Sequence, residues 1–164
     1  MKNNIILIGM PGCGKSTIGV LLAKNLAFRF LDSDLVIQER DGRRLQEIID
    51  DLGPEKFSAY EDSVNASLDP HNTVVATGGS AVYGKNAMEH FKDIGTIVYL
   101  RTSFEEITRR IKDFNTRGLV IPEGKTFEDV YRERVPLYER YADITVDTDE
   151  KDLWDVVEEI TEQL

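Results

Sequence analysis

Eight residues near the start constrain this chain more than anything else in it. Gly9-Met10-Pro11-Gly12-Cys13-Gly14-Lys15-Ser16 fits the pattern G-x-x-x-x-G-K-[ST]. Its surroundings are the ones this pattern needs. Asn4 to Ile8 (NIILI) is a short, continuous apolar run, as expected for a strand buried on both faces. Lys15 to Leu26 then carries Ile18, Leu21, Leu22 and Leu26, a helical stripe. Glycines there let successive backbone N–H groups turn inward around phosphate oxygens, and the helix points its positive end at the same anion. Lys15 reads as an exposed, mobile cation for phosphate, and the Ser16 hydroxyl as a hard oxygen ligand for Mg²⁺. The alternative is a chance glycine-rich turn. Cys13 occupies a free position of the motif, where a small side chain is tolerated.

The rest of the chain alternates strand and helix patterns. Phe28 to Leu31, Thr73 to Ala76 (TVVA), Thr96 to Leu100 (TIVYL) and Ile144 to Val146 read as strands. Helices are expected around Leu35 to Ile37, at Leu45 to Leu52 and along Phe57, Tyr60, Val64 and Leu68. Two more follow Ile107 and Ile111, and Leu153 to Leu164. Such alternation indicates βαβ units and a parallel sheet covered on both sides, an α/β fold. No repeat, linker or low-complexity run divides the 164 residues, so residues 1–164 read as one domain. Residues 113–125 (DFNTRGLVIPEGK) fit no element and have the length and composition of a lid or of a plain surface loop.

Charge and cysteine content exclude other classes. The net charge of −10 gives a poor field for nucleic acid. Residues 101–140 alone are near neutral, with 9 Lys and Arg against 8 Asp and Glu, which suggests local anion handling or simply a solvated helix. One cysteine cannot make an internal disulfide. The apolar run of Ile5 to Ile8 is too short for a signal-peptide core or a membrane span. A cytoplasmic protein without a membrane partner, acting as a monomer, is expected.

Further candidates lie at strand ends, where open α/β sheets bind ligands. Asp32-Ser33-Asp34 follows the second strand. Asp32 could hold Mg²⁺, mostly through water, and Asp34 could accept a proton from a substrate hydroxyl; one of the two could instead cap the next helix. Thr77-Gly78-Gly79-Ser80 follows the third strand, and its paired glycines permit close approach of a small ligand or form an ordinary turn. Arg117, in the suspected lid, could fold over a transferring phosphate. His71 and His90 have no metal-ligand spacing and read as surface residues.

Taken in order, these segments resemble the shikimate kinase family of P-loop small-molecule kinases. The resemblance rests on the P-loop, Asp32-Ser33-Asp34, Gly53…Phe57…Glu61, Thr77-Gly78-Gly79, Arg117 and Arg134-Val135-Pro136-Leu137-Tyr138. It implies a five-stranded parallel sheet of order 2-3-1-4-5, a substrate-binding helical region at about 33–68 and a lid at about 113–125. It implies ATP binding by Gly12, Cys13, Gly14, Lys15, Ser16, Thr17 and Arg110, with Ser16 and Asp32 serving Mg²⁺. Lys15, Asp34 and Arg117 would be catalytic. Asp34, Gly79 and Arg134 would hold the substrate, with Ser58, Gly78 and Ser80 at adjoining positions. The chain departs from the family's pattern at Ser58, where the family has an arginine that helps clamp the substrate carboxylate. It also departs at Ile49 (an aromatic), at Ser80 (a third glycine) and at Gly118 (a proline). Arg43, Arg44 and Lys56 are nearby cations that could compensate. The implied reaction is ATP-dependent phosphorylation of a hydroxyl on a small metabolite, with shikimate first. A same-fold kinase for another polyol or hydroxy acid, or a nucleotide-binding module without transfer, are the alternatives.

Overall fold

The computed structural model describes residues 3–113 and 121–164. Five strands form one parallel sheet: β1 (Asn4–Ile8), β2 (Arg29–Asp32), β3 (Thr73–Ala76), β4 (Gly95–Arg101) and β5 (Ile144–Asp147), in the order β2-β3-β1-β4-β5. The helices are α1 (Lys15–Leu26), α2 (Ser33–Asp41), α3 (Leu45–Ala66), α4 (Lys85–Ile94), α5 (Phe104–Asp113), α6 (Phe127–Tyr141) and α7 (Leu153–Gln163), with a 3-10 turn at Ala81–Tyr83. The order matches the one the resemblance implies. Because β1 lies between β3 and β4, strand order reverses beside it, and the crevice there opens at the carboxyl ends of β1 and β3.

Burial explains the strand patterns. All five residues of β1 and all four of β3 are buried, so neither strand has a polar face. Asn4 is the exception, and its side chain is used: Nδ2 donates to Pro70 O at 2.8 Å and Ile94 O at 3.0 Å, while Oδ1 accepts from Thr73 N at 3.1 Å. One amide therefore aligns the starts of three strands. A second, smaller core of Ile37, Ile48, Ile49, Phe57 and Val64 lies where α2 meets α3. Ile49, at the family's aromatic position, is part of this core.

Several boundaries differ from the sequence reading. The two helices expected at Leu45 to Leu52 and from Phe57 are one run, broken at Gly53, whose φ of 75° and ψ of 169° stop the first segment while Pro54 starts the second. Helices α4 and α6 have no counterpart in the apolar pattern. The buried stripe of α6 is Val130, Arg134 and Tyr138, so a charged residue sits where hydropathy expects an apolar one. His90 is not a simple surface residue: it is half-buried, and its Nε2 lies 2.5 Å from the Leu68 carbonyl oxygen. No helix among the described residues is long and apolar enough to cross a membrane.

Candidate active site

The turn after β1 wraps around a hollow of about 350 Å³ whose lining includes Gly12, Lys15, Ser16 and Thr17 on one side and Asp34, Gly78 and Gly79 on the other. Gly12 and Gly14 adopt φ of 81° and 97°, which L side chains rarely tolerate. Gly14 then caps α1, whose first N–H groups face the hollow's anion side. Helix α5 closes this side. Its Ile111 lies 3.3 Å from where a Gly12 Cβ would stand, and Arg110 Nη1 donates to the Cys13 carbonyl at 3.2 Å while its Nε pairs with Glu106 at 2.8 Å. Arg110 is thereby fixed against the P-loop.

Lys15 corrects the sequence reading. It is buried, not exposed: its Nζ donates to Gly9 O at 2.7 Å and Met10 O at 2.9 Å, with Cys13 Sγ at 3.6 Å. A charged donor that meets two carbonyls holds the loop's turn as well as facing the hollow. The choice between the two aspartates is also resolved. Asp32 caps α2, its Oδ1 accepting from Asp34 N at 2.9 Å and Leu35 N at 3.4 Å. Its Oδ2 still accepts from Ser16 Oγ at 3.2 Å. Asp34 is left to face the hollow.

The other side of the hollow is built around Gly78 and Gly79. A Cβ on Gly78 would stand 2.7 Å from Asp34 Oδ1 and 2.9 Å from Glu61 Oε2, so two carboxyl groups flank this one backbone position. A Cβ on Gly79 would meet the Pro11 ring at 2.6 and 2.8 Å and Arg134 Nη1 at 3.0 Å. The stripe of α6 fixes this turn from behind. Tyr138 OH donates to Gly79 O at 2.6 Å, and the ring stacks on Tyr99 at a centroid distance of 5.1 Å. The Arg134 guanidinium, 2% exposed as a residue, lies 5.3 Å from the centre of the Tyr83 ring. Gly79→Ala is expected to lower kcat/KM at least tenfold, because a rigid proline of the P-loop must move to admit the methyl group; overpacking of this kind costs about 1–3 kcal/mol. Steady-state kinetics check it, and native efficiency in the variant would contradict the close packing.

Glu61 is a site residue that the sequence reading used only as part of the resemblance. Its Oε1 accepts from Ser80 Oγ at 2.6 Å, and its Oε2 is buried without a hydrogen-bond partner among the described residues. Burial pushes its carboxyl up to about 7; the Ser80 hydroxyl and Arg134 oppose the shift, while the Asp34 and Asp62 charges add to it. Burial likewise pushes Asp34 up to about 6, with the Asp32 charge adding and Lys15 opposing. The sign for stability follows from proton counts. Between pH 4.5 and about 7 the folded state keeps a proton on Glu61 that the unfolded chain releases, so this group's contribution falls as pH rises, by up to about 1.4 kcal/mol per pH unit. Melting temperatures at pH 5 and pH 8 should therefore differ less in Glu61→Gln than in the native protein. Equal differences would contradict a buried, proton-holding Glu61.

The remaining candidates divide clearly. Ser58 and Ser80 line a second cavity of about 780 Å³, which continues past Tyr83 to Lys56, Lys125 and Glu133. Arg43 and Arg44 are elsewhere, on a separate hollow with Gln38 and Glu39, and Arg43 is engaged by Asp41 at 2.7 Å and Asp51 at 3.2 Å. Arg117 and Gly118, with most of the expected lid, lie outside the described residues.

A phosphate-cradling turn after the first strand, a helix N-terminus behind it and an acidic group at the end of the second strand define the class of P-loop kinases. The shikimate kinase family model matches residues 11–164. The shikimate kinase of Vibrio cholerae is 38% identical over 99% of this chain and 95% of its own length, and that of Hahella chejuensis is 39% identical over 99% and 86%. Among solved structures, the shikimate kinase of Acinetobacter baumannii in complex with shikimate superposes with a TM-score of 0.87 at 32% identity, covering 98% of this chain and 92% of that one. The chain belongs to the shikimate kinase family. A gluconokinase from Sinorhizobium meliloti, at 19% identity and a TM-score of 0.52, shares the fold alone.

Proposed function

We propose that this protein transfers the γ-phosphoryl group of ATP to a hydroxyl of shikimate. The observation that carries the reading is that one hollow holds both the phosphate loop and Asp34 with the Gly78-Gly79 turn, so donor phosphate and acceptor hydroxyl meet in one space. In this reading Gly12 to Thr17 bind the phosphates, Arg110 borders the nucleotide, and Arg117 covers the transferring group from the lid. Arg134 takes the acceptor's carboxylate, while Gly78, Gly79 and Ser80 let the ring approach the backbone. Asp34 orients the acceptor hydroxyl and takes its proton as the new O–P bond forms and the bond from the γ-phosphorus to the β–γ bridging oxygen breaks. Lys15 neutralises the charge that develops on the leaving ADP. Ser16 and Asp32 fit Mg²⁺: a hydroxyl and a carboxylate oxygen 3.2 Å apart stand at the phosphate site, and the described residues contain no cluster of three His, Cys, Asp or Glu that would suggest an all-protein cage. Bound Mg²⁺ would supply further charge neutralisation on the β- and γ-oxygens. In this reading the protein acts as a cytoplasmic monomer made as one domain.

Ser58 favours a second reading, in which the acceptor is another polyol or hydroxy acid with a smaller anionic demand. A serine on the cavity wall cannot form the bidentate contact of an arginine, and losing one such partner weakens binding by roughly tenfold to over a hundredfold. Kinetics on the native protein and Ser58→Arg separate the two. The first reading expects a KM for shikimate below about 1 mM in the native protein and little gain from the substitution. The second expects a poor native substrate that Ser58→Arg improves tenfold or more.

A further inference from the structure

The wall of the 780 Å³ cavity that carries Ser58 also carries two lysines, and they are not equivalent. Lys125 Nζ lies 2.5 Å from Glu133 Oε2, so its charge is already met by a carboxylate of the same wall. Lys56 has no carboxylate within ion-pair distance and no side-chain hydrogen bond among the described residues, although the chain as a whole is strongly acidic. Arg43 and Arg44, the other cations near this region in sequence, open onto a different hollow. Lys56 also stands in the first turn of the segment that restarts at Pro54 after the Gly53 break, where the helix end is positive. The cavity's charged lining is thus Glu55, the paired Lys125 and Glu133, and one lysine whose charge is unspent, while Arg134 lies over the ring of the lining residue Tyr83, 5.3 Å from its centre.

We propose that Lys56 supplies the second cation for the acceptor's carboxylate and is the specificity-determining residue that makes up for Ser58. The inference rests on the reading of shikimate as acceptor. A flexible ammonium two residues before Ser58, on the lining of the same cavity, reaches the carboxylate as a point charge, where a guanidinium would hold it bidentately. The contact acts on the carboxylate, remote from the transferring phosphate, so it works through acceptor binding.

The test uses the native protein, Lys56→Gln, Lys56→Arg and Lys125→Gln, with shikimate and its uncharged methyl ester as acceptors. Lys56→Gln should raise the KM for shikimate about tenfold or more, move kcat and the KM for ATP much less, and leave the KM for the ester as in the native protein. Lys56→Arg should restore most of the loss, and Lys125→Gln should raise the KM for shikimate less than Lys56→Gln does. An unchanged KM for shikimate in Lys56→Gln overturns the proposal, as does an equal rise with acid and ester, which would mean a general disturbance of the wall. A larger effect from Lys125 overturns it as well. Failure of the underlying reading looks different: the native protein itself would not phosphorylate shikimate, and both claims would fall together.

Discussion

Lys15→Met is expected to lower kcat/KM for phosphoryl transfer by roughly a thousandfold, because a preorganised cation aimed at developing charge is lost in a partly dry site. The structure adds a second effect. Lys15 is buried and donates to the carbonyls of Gly9 and Met10, so a methionine removes the donor of the Gly9 oxygen and leaves the Met10 oxygen with the Cys13 N–H alone, at 3.2 Å. One unpartnered buried acceptor of this kind costs about 1–3 kcal/mol, which in a chain of this size lowers the melting temperature by several degrees. Steady-state kinetics and thermal unfolding measure the two effects separately. Near-native turnover would contradict the role of the P-loop, and an unchanged melting temperature would contradict the lysine's part in holding the loop.

Asp34→Asn is the second large effect. In the proposed reaction the carboxylate takes the hydroxyl proton, and an amide cannot; removing such a group costs about 10²- to 10⁴-fold in rate. The pH profile makes the expectation sharper. With its carboxyl raised to about 6 by burial, Asp34 is protonated and inactive as a base below that value. The native kcat/KM should therefore rise with pH through about 6, and the residual activity of Asp34→Asn should lack this limb. A native profile flat from pH 5 to pH 8, or a variant that keeps the limb, would assign the proton to another group.

The nucleotide half of the site was legible because its signal is local. A strand, eight residues and a helix stripe lie next to one another in sequence, and the fold only has to let them close. The acceptor half is assembled from distant elements, and its signals were weaker in proportion. Glu61 reads as one more charge on a helix that also carries Glu55 and Asp62. Its burial comes from packing under Ser80 and beside Arg134. A signal was present, since Phe57, Glu61 and Val64 are spaced to share one face, with Phe57 and Val64 in the small core. Helix α6 was missed for a related reason: its inward stripe uses Arg134 as a core-facing residue, which no hydropathy pattern anticipates. The capping pair Thr126 and Asp129 at its start was a usable local sign. The direction of Arg43 and Arg44 away from the acceptor cavity had no local sign, because only the tertiary position of the Gly42 turn sets it.

In the proposed function, donor phosphate and a hydroxylated carboxylate acceptor meet over Asp34. The most direct measurement is shikimate-dependent ADP formation by the native protein with ATP and Mg²⁺, with the phosphorylated product followed by phosphorus NMR. One ADP is expected for each phosphomonoester formed, saturating with a KM for shikimate below about 1 mM. ADP formation that does not respond to shikimate, or a neutral polyol preferred to it, would show that shikimate is not the acceptor.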